Sequence, residues 1–380
     1  MNILWITPIR FGDTIHQVGE IGTASALIKK GWNIDFLSAE GNPNAQKFMS
    51  ELGFKLFQVP MSRLPGAAGI SFNNNISQKI PLLLKKNNYD VIMVEWQAAL
   101  GFLKFKKSRI TKKMTTPPWL FEDRSPPANK GIVGRLQWLH YDKAWKSSHI
   151  DANEIEVLVP GLEKFVKNRF SITRPMIYCP SGVEIDRFQN SNKPLGGTIK
   201  FVYHGSLDKG RGLDKIIKFG IKLSNENYKF NILIFGVGPL SKYFSKMSNK
   251  YSWLEFKGRV EYSEVPILLS DQDIGLLPLP DELPWNVGSP LKAMEYAASG
   301  LITLATDVDG SIPFMNYNWF FCGPKENPID RWIEHIEYIF SEPMQFISLR
   351  GAARRDAEKF LTWDVSVIQL DKALRQLLND

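Results

Sequence analysis

Residues 289–305, SPLKAMEYAASGLITLA, predict a helix with two marked ends that leads directly into a buried strand. Ser289 is a favourable N-cap residue, Pro290 suits the first helical position, and Gly300 is a typical C-terminal stop. The first turn of such a helix has backbone N–H groups without partners and the positive end of the helix dipole. An anion can therefore bind beside Gly288, which immediately precedes the segment.

Glu295 lies further along the same helix, where its carboxylate can reach hydroxyl groups next to that anion. A diphosphate attached to a ribose has this shape. Lys292 either faces solvent, as most helical lysines do, or points at the phosphates. Local sequence also permits a plain capped amphipathic helix with a surface glutamate, because such caps are common.

The pattern around this segment predicts an α/β protein. Apolar strands at residues 2–7, 32–38 and 89–95 alternate with helical periodicity at 16–30 and 131–147. Repeated strand–helix units favour a doubly wound parallel sheet. With 380 residues, the chain can form two domains of ordinary size.

The polar segment Asn190–Gly197, which contains Pro194, is the best linker in the chain. We therefore predict a first Rossmann-like domain at 1–190, a second at 191–362, and a terminal helix at 363–380. Two such domains leave a cleft at the carboxyl ends of their strands, where ligands of open α/β sheets bind.

Targeting and redox features are few. The first strand has no charged n-region and no long apolar run, so we expect neither a signal peptide nor a membrane span. Cys179 and Cys322 are too few for a disulfide framework and lack metal-ligand spacing, so we expect inert buried thiols. A cytoplasmic protein is the resulting expectation.

Positive charge is concentrated in the first half. Residues 1–180 carry 24 Lys and Arg against 14 Asp and Glu, a balance of +10, and the rest carries 23 against 25, a balance of −2, giving the total of +8. Basic residues interleaved with Leu and Phe suit an anionic membrane surface, although a solvated basic face is the alternative. No nucleic-acid-binding motif accompanies the charge, which excludes that partner class. The basic residues concerned are Lys85, Lys86, Lys104, Lys106, Lys107, Arg109, Lys112 and Lys113.

Short motifs surround the opening segment in a defined order. They are CPSGVE (179–184) with Phe188, FVYHGSL (201–207), RGLD (211–214), ILIFGVGP (232–239), FKGRV (256–260) and DIGLLP (273–278). Over roughly residues 175–310 this series resembles the nucleotide-binding signature of retaining GT-B-fold glycosyltransferases of the family-4, or glycosyl transferases group 1, type. The resemblance implies a GT-B architecture, with donor nucleotide in the second domain, acceptor in the first, and a last helix that crosses back to the first.

On the donor side, the resemblance places Arg211 where the family has the Lys or Arg of its "KG" turn. A guanidinium there can bridge two phosphate oxygens. The family's second cation is replaced by Ser206, so Lys209 is the expected substitute; a solvated polar loop is the alternative. The implied donor-binding residues are Gly205, Ser206, Gly236, Gly288, Ser289, Pro290, Leu291 and Glu295.

The family's first glutamate is replaced by Val287, which cannot act as a carboxylate. Asn286, Asp281 or Glu282 in the same loop could compensate. The loss also favours an alternative function, that of a catalytically silent relative which binds a sugar nucleotide.

On the acceptor side, the resemblance is partial. Gly12 and His16 lie where the family has a glycine-rich turn followed by a histidine, although a cap or surface role for His16 is the alternative. Glu95 ends one strand, and Glu122 and Arg124 end the next. Glu95 or Glu122 could orient or deprotonate an acceptor hydroxyl, whereas a Glu122–Arg124 salt bridge is equally compatible with the sequence.

The expected function is transfer of a sugar, with retention, from a nucleotide-diphosphate sugar to an acceptor hydroxyl. No metal-binding cluster is evident, so the leaving diphosphate should be stabilised by Arg211, Lys209 and the helix at Ser289, without a metal or further cofactor. The acceptor would be a lipid-linked sugar or another cell-envelope glycan, in polysaccharide biosynthesis, with the protein peripheral on the inner face of the membrane. A dinucleotide-dependent oxidoreductase is a weaker alternative, because Gly236-Val237-Gly238 lacks the rest of that fingerprint.

Overall fold

The computed structural model describes the chain in two compact units. The first unit is Met1–Ser181 with Ser366–Asp380, and the second is Gly182–Val365. The described residues are 1–12, 17–64, 66–108, 115–190 and 196–379.

The first unit is built on a seven-stranded parallel sheet of order β3-β2-β1-β4-β5-β6-β7. The strands are β1 (Asn2–Ile6), β2 (Asn33–Ala39), β3 (Lys55–Val59), β4 (Val91–Glu95), β5 (Trp119–Asp123), β6 (Glu154–Val157) and β7 (Ile177–Tyr178). The helices are α1 (Val18–Lys29), α2 (Ala45–Glu51), α3 (Ala68–Lys86), α4 (Trp96–Lys106), α5 (Gly131–Asp151) and α6 (Pro160–Phe170). The strand order reverses between β1 and β4, which makes their carboxyl ends the expected ligand crevice of this sheet.

The second unit repeats this plan with a six-stranded parallel sheet of order β10-β9-β8-β11-β12-β13. Its strands are β8 (Ile199–His204), β9 (Phe230–Phe235), β10 (Leu254–Gly258), β11 (Ile274–Leu277), β12 (Ile302–Thr306) and β13 (Phe320–Gly323). Its helices are α7 (Asp214–Asn225), α8 (Ser241–Lys250), α9 (Val265–Ser270), α10 (Leu291–Ala298), α11 (Ile329–Ile339) and α12 (Pro343–Phe360). Here the order reverses between β8 and β11, and the doubly wound α/β prediction is confirmed.

The central strands are buried along their whole length because helices cover both faces of each sheet, and they are mostly apolar apart from the carboxylates that end β4 and β5. Every residue of β4, β5, β11 and β12 is buried. Continuous apolar runs of this kind are typical of parallel sheets, in which neither face meets water.

The chain crosses between units earlier than the linker prediction places the boundary. Val183 and Phe188 already belong to the core of the second unit, and the Val183 N–H donates to Leu361 O at 2.8 Å. The segment 190–197 therefore follows the crossing instead of forming it. The return crossing comes at Ser366, within α13 (Trp363–Ser366), after which α14 (Ile368–Gln376) packs in the first unit, where Trp32 Nε1 donates to Asp371 Oδ1 at 2.7 Å.

The basic ends of α3 and α4 differ from the prediction in one respect. Phe102, Leu103 and Phe105 are buried in the core instead of standing exposed beside the lysines, and Leu82 is the exposed exception. Helix α4 packs closely on α3, which is why its apolar side chains turn inward. Three further residues predicted to belong to this basic surface, Arg109, Lys112 and Lys113, lie outside the described residues.

Both cysteines are free thiols. Cys179 is buried and Cys322 is half-buried, and burial raises the pKa of each to about 12. A thiol that does not ionise near neutral pH is a poor nucleophile and metal ligand, as the prediction of inert cysteines requires.

Candidate active site

The loops that follow β8 and β9 approach each other backbone to backbone at the carboxyl edge of the second sheet. Gly205 has φ +112°, and its N–H donates to Phe235 O at 3.0 Å. A Cβ on Gly236 would lie 1.8 Å from Gly205 O, so only glycine fits there. Glycine is therefore needed at these positions so that the two loops can pack together. This explains Gly236 without a dinucleotide-binding fingerprint.

Arg211 is held in the loop between β8 and α7. Its guanidinium carbon lies 4.1 Å from the centre of the Trp285 ring, and its Nε lies 3.4 Å from Asp208 Oδ2. Ser206 Oγ donates to the same carboxylate oxygen of Asp208. A cation stacked on an aromatic face and bound on one edge has little freedom, so Arg211 is pre-oriented.

Helix α10 begins at the same edge, although not with the predicted cap. Its N-cap is Pro290, whose φ of −74° and ψ of 93° are not helical, so the prediction of Ser289 as N-cap and Pro290 as first helical residue is wrong. The helix runs from Leu291 to Ala298, and Gly300, two residues beyond its end, adopts φ +68° and stops it as predicted. The first turn still provides backbone N–H groups and a positive dipole end.

Lys292 does not face solvent. A Cβ on Gly205 would lie 2.8 Å from Lys292 Cε and 2.9 Å from its Nζ, so the ammonium group packs directly over Gly205. Its Nζ also lies 5.6 Å from the centre of the Tyr203 ring. Burial, helped by the positive charge of Arg211 and opposed by Glu295 and Asp208, lowers the pKa of Lys292 to about 7.

The predicted substitute cation, Lys209, is instead exposed on the short turn Lys209–Arg211. Of the two lysines, Lys292 is therefore the one that the fold brings to the Gly205 loop. The one feature of the sequence that pointed to Lys292 was its position in the first turn of the helix that carries Glu295.

Glu295 is buried and faces His204, a residue for which the sequence analysis proposed no role. Its Oε2 lies 3.2 Å from His204 Nε2, without the alignment of a hydrogen bond. The His204 ring stacks on Phe235 with centres 5.4 Å apart and meets Tyr296 edge-on. His204 is thus fixed on two sides and can orient the Glu295 carboxylate. The only sequence signal for it is its place at the strand end before the glycine.

Val287 is buried and occupies the end of a short 3-10 helix, Trp285–Val287. Nearby, Asn286 Nδ2 donates to Asp281 Oδ1 at 2.6 Å, and Lys325 binds Asp281 Oδ2 at 2.5 Å. Asp281 is therefore already occupied by two partners. Gly288 follows this helix and leads into Ser289 and Pro290.

A separate acidic cluster lies at the carboxyl edge of the first sheet. Glu122 is fully buried: Trp5 Nε1 donates to its Oε2 at 2.7 Å, and Arg124 Nη1 donates to its Oε1 at 3.2 Å. Arg124 Nε also lies 3.6 Å from Glu20 Oε1. The salt-bridge alternative for Glu122 and Arg124 is therefore what the structure shows, and both oxygens of Glu122 are engaged inside the unit.

Glu95, at the end of the neighbouring strand, keeps an open oxygen. It is 5% exposed, and its Oε1 has no hydrogen-bond partner among the described residues. Burial first, and then the negative charges of Glu122 and Glu20, raise its pKa well above the ordinary value. Burial therefore favours the protonated form of the Glu95 carboxyl, and a protonated carboxyl can both donate and accept a hydrogen bond.

Gly12 follows β1 at this edge with φ +90°, and its N–H donates to Gln17 Oε1 at 2.8 Å. A Cβ there would lie 2.8 Å from Asn42 Cβ, so the turn requires glycine. His16 lies outside the described residues. Within those residues, no group of three or more His, Cys, Asp or Glu side chains is placed to hold a metal ion.

Part of the second unit matches a known protein family. Residues 184–360 fit the family model described as glycosyl transferases group 1. This segment is thus similar in sequence to the glycosyl transferases group 1 family. The resemblance seen in its motifs is thereby confirmed, and the group 1 segment contains Arg211, Lys292 and Glu295. No curated protein sequence matches the chain.

Solved structures of similar fold extend over the whole chain. Sucrose-phosphate synthase from Thermosynechococcus elongatus has a TM-score of 0.77 at 15% identity, covering 100% of this chain and 99% of that one. WaaG, a glycosyltransferase involved in lipopolysaccharide biosynthesis, has 0.70 at 15%, covering 98% of each. Anabaena HepE in complex with UDP has 0.70 at 11%, covering 99% and 100%. At these identities the similarity shows the fold, and the GT-B prediction is confirmed. Family and fold together support sugar transfer.

Proposed function

We propose that this chain is a metal-independent glycosyltransferase that moves a sugar from a nucleotide-diphosphate sugar to an acceptor hydroxyl with retention of configuration. The observation that carries the proposal is the convergence of Arg211, Lys292 and Glu295 at the carboxyl edge of the second sheet, where its strand order reverses. This edge is where open α/β sheets bind nucleotides. The UDP bound by Anabaena HepE supports a nucleotide diphosphate as the ligand here.

Breaking the bond between the anomeric carbon and the phosphate oxygen leaves negative charge on the diphosphate. Arg211 and Lys292 supply the two cations that stabilise this charge, and the first turn of α10 adds backbone N–H groups. Lys292 thus takes the role that the sequence assigned to Lys209. The leaving phosphate, held by these groups, accepts the proton of the attacking hydroxyl on the same face of the sugar.

Glu95 would act on the acceptor side. Its open oxygen can hold an acceptor hydroxyl by a hydrogen bond, and its raised pKa favours the protonated form that can also donate one. In this proposal Glu122 and Arg124 have a structural role, because they bind each other inside the first unit. A lipid-linked or other cell-envelope glycan is the proposed acceptor, supported by the role of WaaG in lipopolysaccharide biosynthesis and by the basic first half of the chain.

The proposed location is the cytoplasmic face of a membrane with anionic lipids, with the protein bound peripherally. No helix in the described part of the chain is long and apolar enough to cross a membrane.

Incubation with UDP-, GDP-, ADP- and dTDP-sugars should release the matching nucleoside diphosphate from one of them, and EDTA should leave the rate unchanged. The reason is that side chains and a helix end provide the positive charge that a metal would otherwise supply. The measurement is nucleotide release with and without EDTA, after a thermal-shift screen has identified the base. Complete loss in EDTA with recovery in Mn²⁺ or Mg²⁺ would contradict metal independence. A bound nucleotide with no release or transfer would identify a silent binding relative, the function that Val287 favours.

Glu295→Gln should raise the donor KM more than it lowers kcat. We expect Glu295 to accept hydrogen bonds from the ribose in both the ground and transition states, so removing its charge weakens binding uniformly. His204 remains in the variant and keeps the side chain in place. Steady-state kinetics measure the split. A nucleotide complex with Glu295 more than about 6 Å from every ribose oxygen would refute the assignment, because that distance is beyond hydrogen bonding.

A further inference from the structure

Helix α5 presents apolar side chains to solvent. Ile132, Leu136 and Leu139, on one face of its first two turns, are 77%, 47% and 67% exposed. A surface helix ordinarily turns its apolar residues inward and its polar residues outward. Here Tyr141, Ala144 and Trp145 fill the inner face, so the outer apolar stripe is additional to what the core requires.

The stripe continues onto the loop before α3 and onto the first turn of that helix. Leu64 and Ile70 are 70% and 66% exposed. A Cβ on Gly66 would lie 3.0 Å from Leu136 Cδ1, which places this loop directly against the helix. Leu64, Ile70, Ile132, Leu136 and Leu139 therefore form one exposed surface, called the α5 patch below. Large apolar patches on soluble domains mark interaction sites.

The charges around the α5 patch are positive. Arg63, Arg135, Lys143 and Lys146 are all exposed beside it on the loop and on α5. The carboxylate of Asp142 on the same helix is bound by Arg169 through two hydrogen bonds of 2.8 and 2.9 Å. An apolar stripe flanked by cations is the pattern of a helix that lies in a membrane interface.

We propose that the α5 patch is the surface by which this protein binds an anionic membrane. A second copy of the chain fits less well, because a two-fold contact brings like charges of the two copies together. The ends of α3 and α4 also fit less well, because Phe102, Leu103 and Phe105 are buried there. The inference rests on the proposed function, in which the protein binds a membrane. Vesicle binding can be measured without sugar transfer, so the membrane surface and the glycosyltransferase activity can fail separately.

The test is co-sedimentation with vesicles of phosphatidylcholine alone and of phosphatidylcholine mixed with phosphatidylglycerol. The wild-type protein should bind the mixed vesicles, less strongly in high salt but still measurably, because the apolar contacts are not screened. The triple substitution Ile132→Gln, Leu136→Gln, Leu139→Gln should weaken binding at least about tenfold, since three apolar side chains no longer enter the interface. Nucleotide release and thermal unfolding should be unchanged.

Two matched variants decide the place of contact. Ile267→Gln with Met344→Gln alters comparably exposed apolar residues of the second unit and should leave vesicle binding intact. Lys85→Glu, Lys86→Glu and Lys107→Glu reverse exposed charges at the ends of α3 and α4 and should have the smaller effect. The proposal is overturned if the α5 triple variant binds as the wild type does or if only the charge reversal abolishes binding. Failure of the wild type to bind mixed vesicles at low salt, with or without dimerisation through the patch, also overturns it.

Discussion

Arg211→Ala is expected to lower kcat/KM by about 10²- to 10³-fold, or roughly 2–4 kcal/mol of transition-state stabilisation, the effect of removing one charge-stabilising donor. Arg211 can bind two diphosphate oxygens at once, and these bonds strengthen as the leaving group gains charge. Its stacking on Trp285 and its contact with Asp208 hold it in place before the donor binds, so little ordering is needed during reaction.

Lys209→Ala is the matched control for this experiment. Lys209 belongs to the same short turn but is exposed, so its loss should change kcat/KM by less than about threefold, corresponding to a weak screened contact. Both variants are measured with saturating acceptor over a range of donor concentration. Near-native activity of Arg211→Ala together with a large loss for Lys209→Ala would show that the cation has been assigned to the wrong residue.

The sequence was most informative where a position admits only one residue type. Gly236, at φ +138°, and Gly300, at φ +68°, both have local backbone conformations that favour glycine. Continuous apolar strands such as Ile274–Leu277 likewise reflect burial on both faces of a parallel sheet. The fold class and the donor segment could therefore be predicted.

What the sequence missed depends on tertiary packing. Nothing local distinguishes a lysine that packs over a glycine loop from one in solvent, so the sequence left the position of Lys292 open and favoured Lys209, which is exposed. Glu122 and Glu95 are equivalent strand ends in the sequence, and only the positions of Trp5 and Arg124 show that Glu122 is engaged while Glu95 keeps an open oxygen. The domain boundary was misplaced for a similar reason: a polar, proline-containing segment resembles a linker, although Val183 already packs in the second core.

Lys292→Met is expected to reduce kcat/KM by about 10²-fold at about pH 6, again by analogy with the loss of one charge-stabilising group. Methionine keeps an unbranched apolar stem over Gly205 and removes only the charge, so the loss reports electrostatics and not packing. The thermal midpoint of the variant should match or exceed that of the wild type, because a partly desolvated ammonium is replaced by an apolar group.

The pH dependence separates this role from a structural one. Because the pKa of Lys292 lies at about 7 in the free protein, the ammonium form predominates below pH 7 and is lost as the pH rises through 7. Because the diphosphate binds the charged form, kcat/KM of the wild type should fall by up to about tenfold per pH unit above pH 7. The Lys292→Met variant should lack this fall. The ratio of wild-type to variant kcat/KM should therefore become smaller as the pH rises. The other ionisable groups facing the ammonium, Arg211, Glu295 and Asp208, remain in the variant, as does His204 beside Glu295. A fall of equal size in both proteins would assign the titration to one of those groups, and a pH-independent hundredfold loss would mean that Lys292 stays charged throughout.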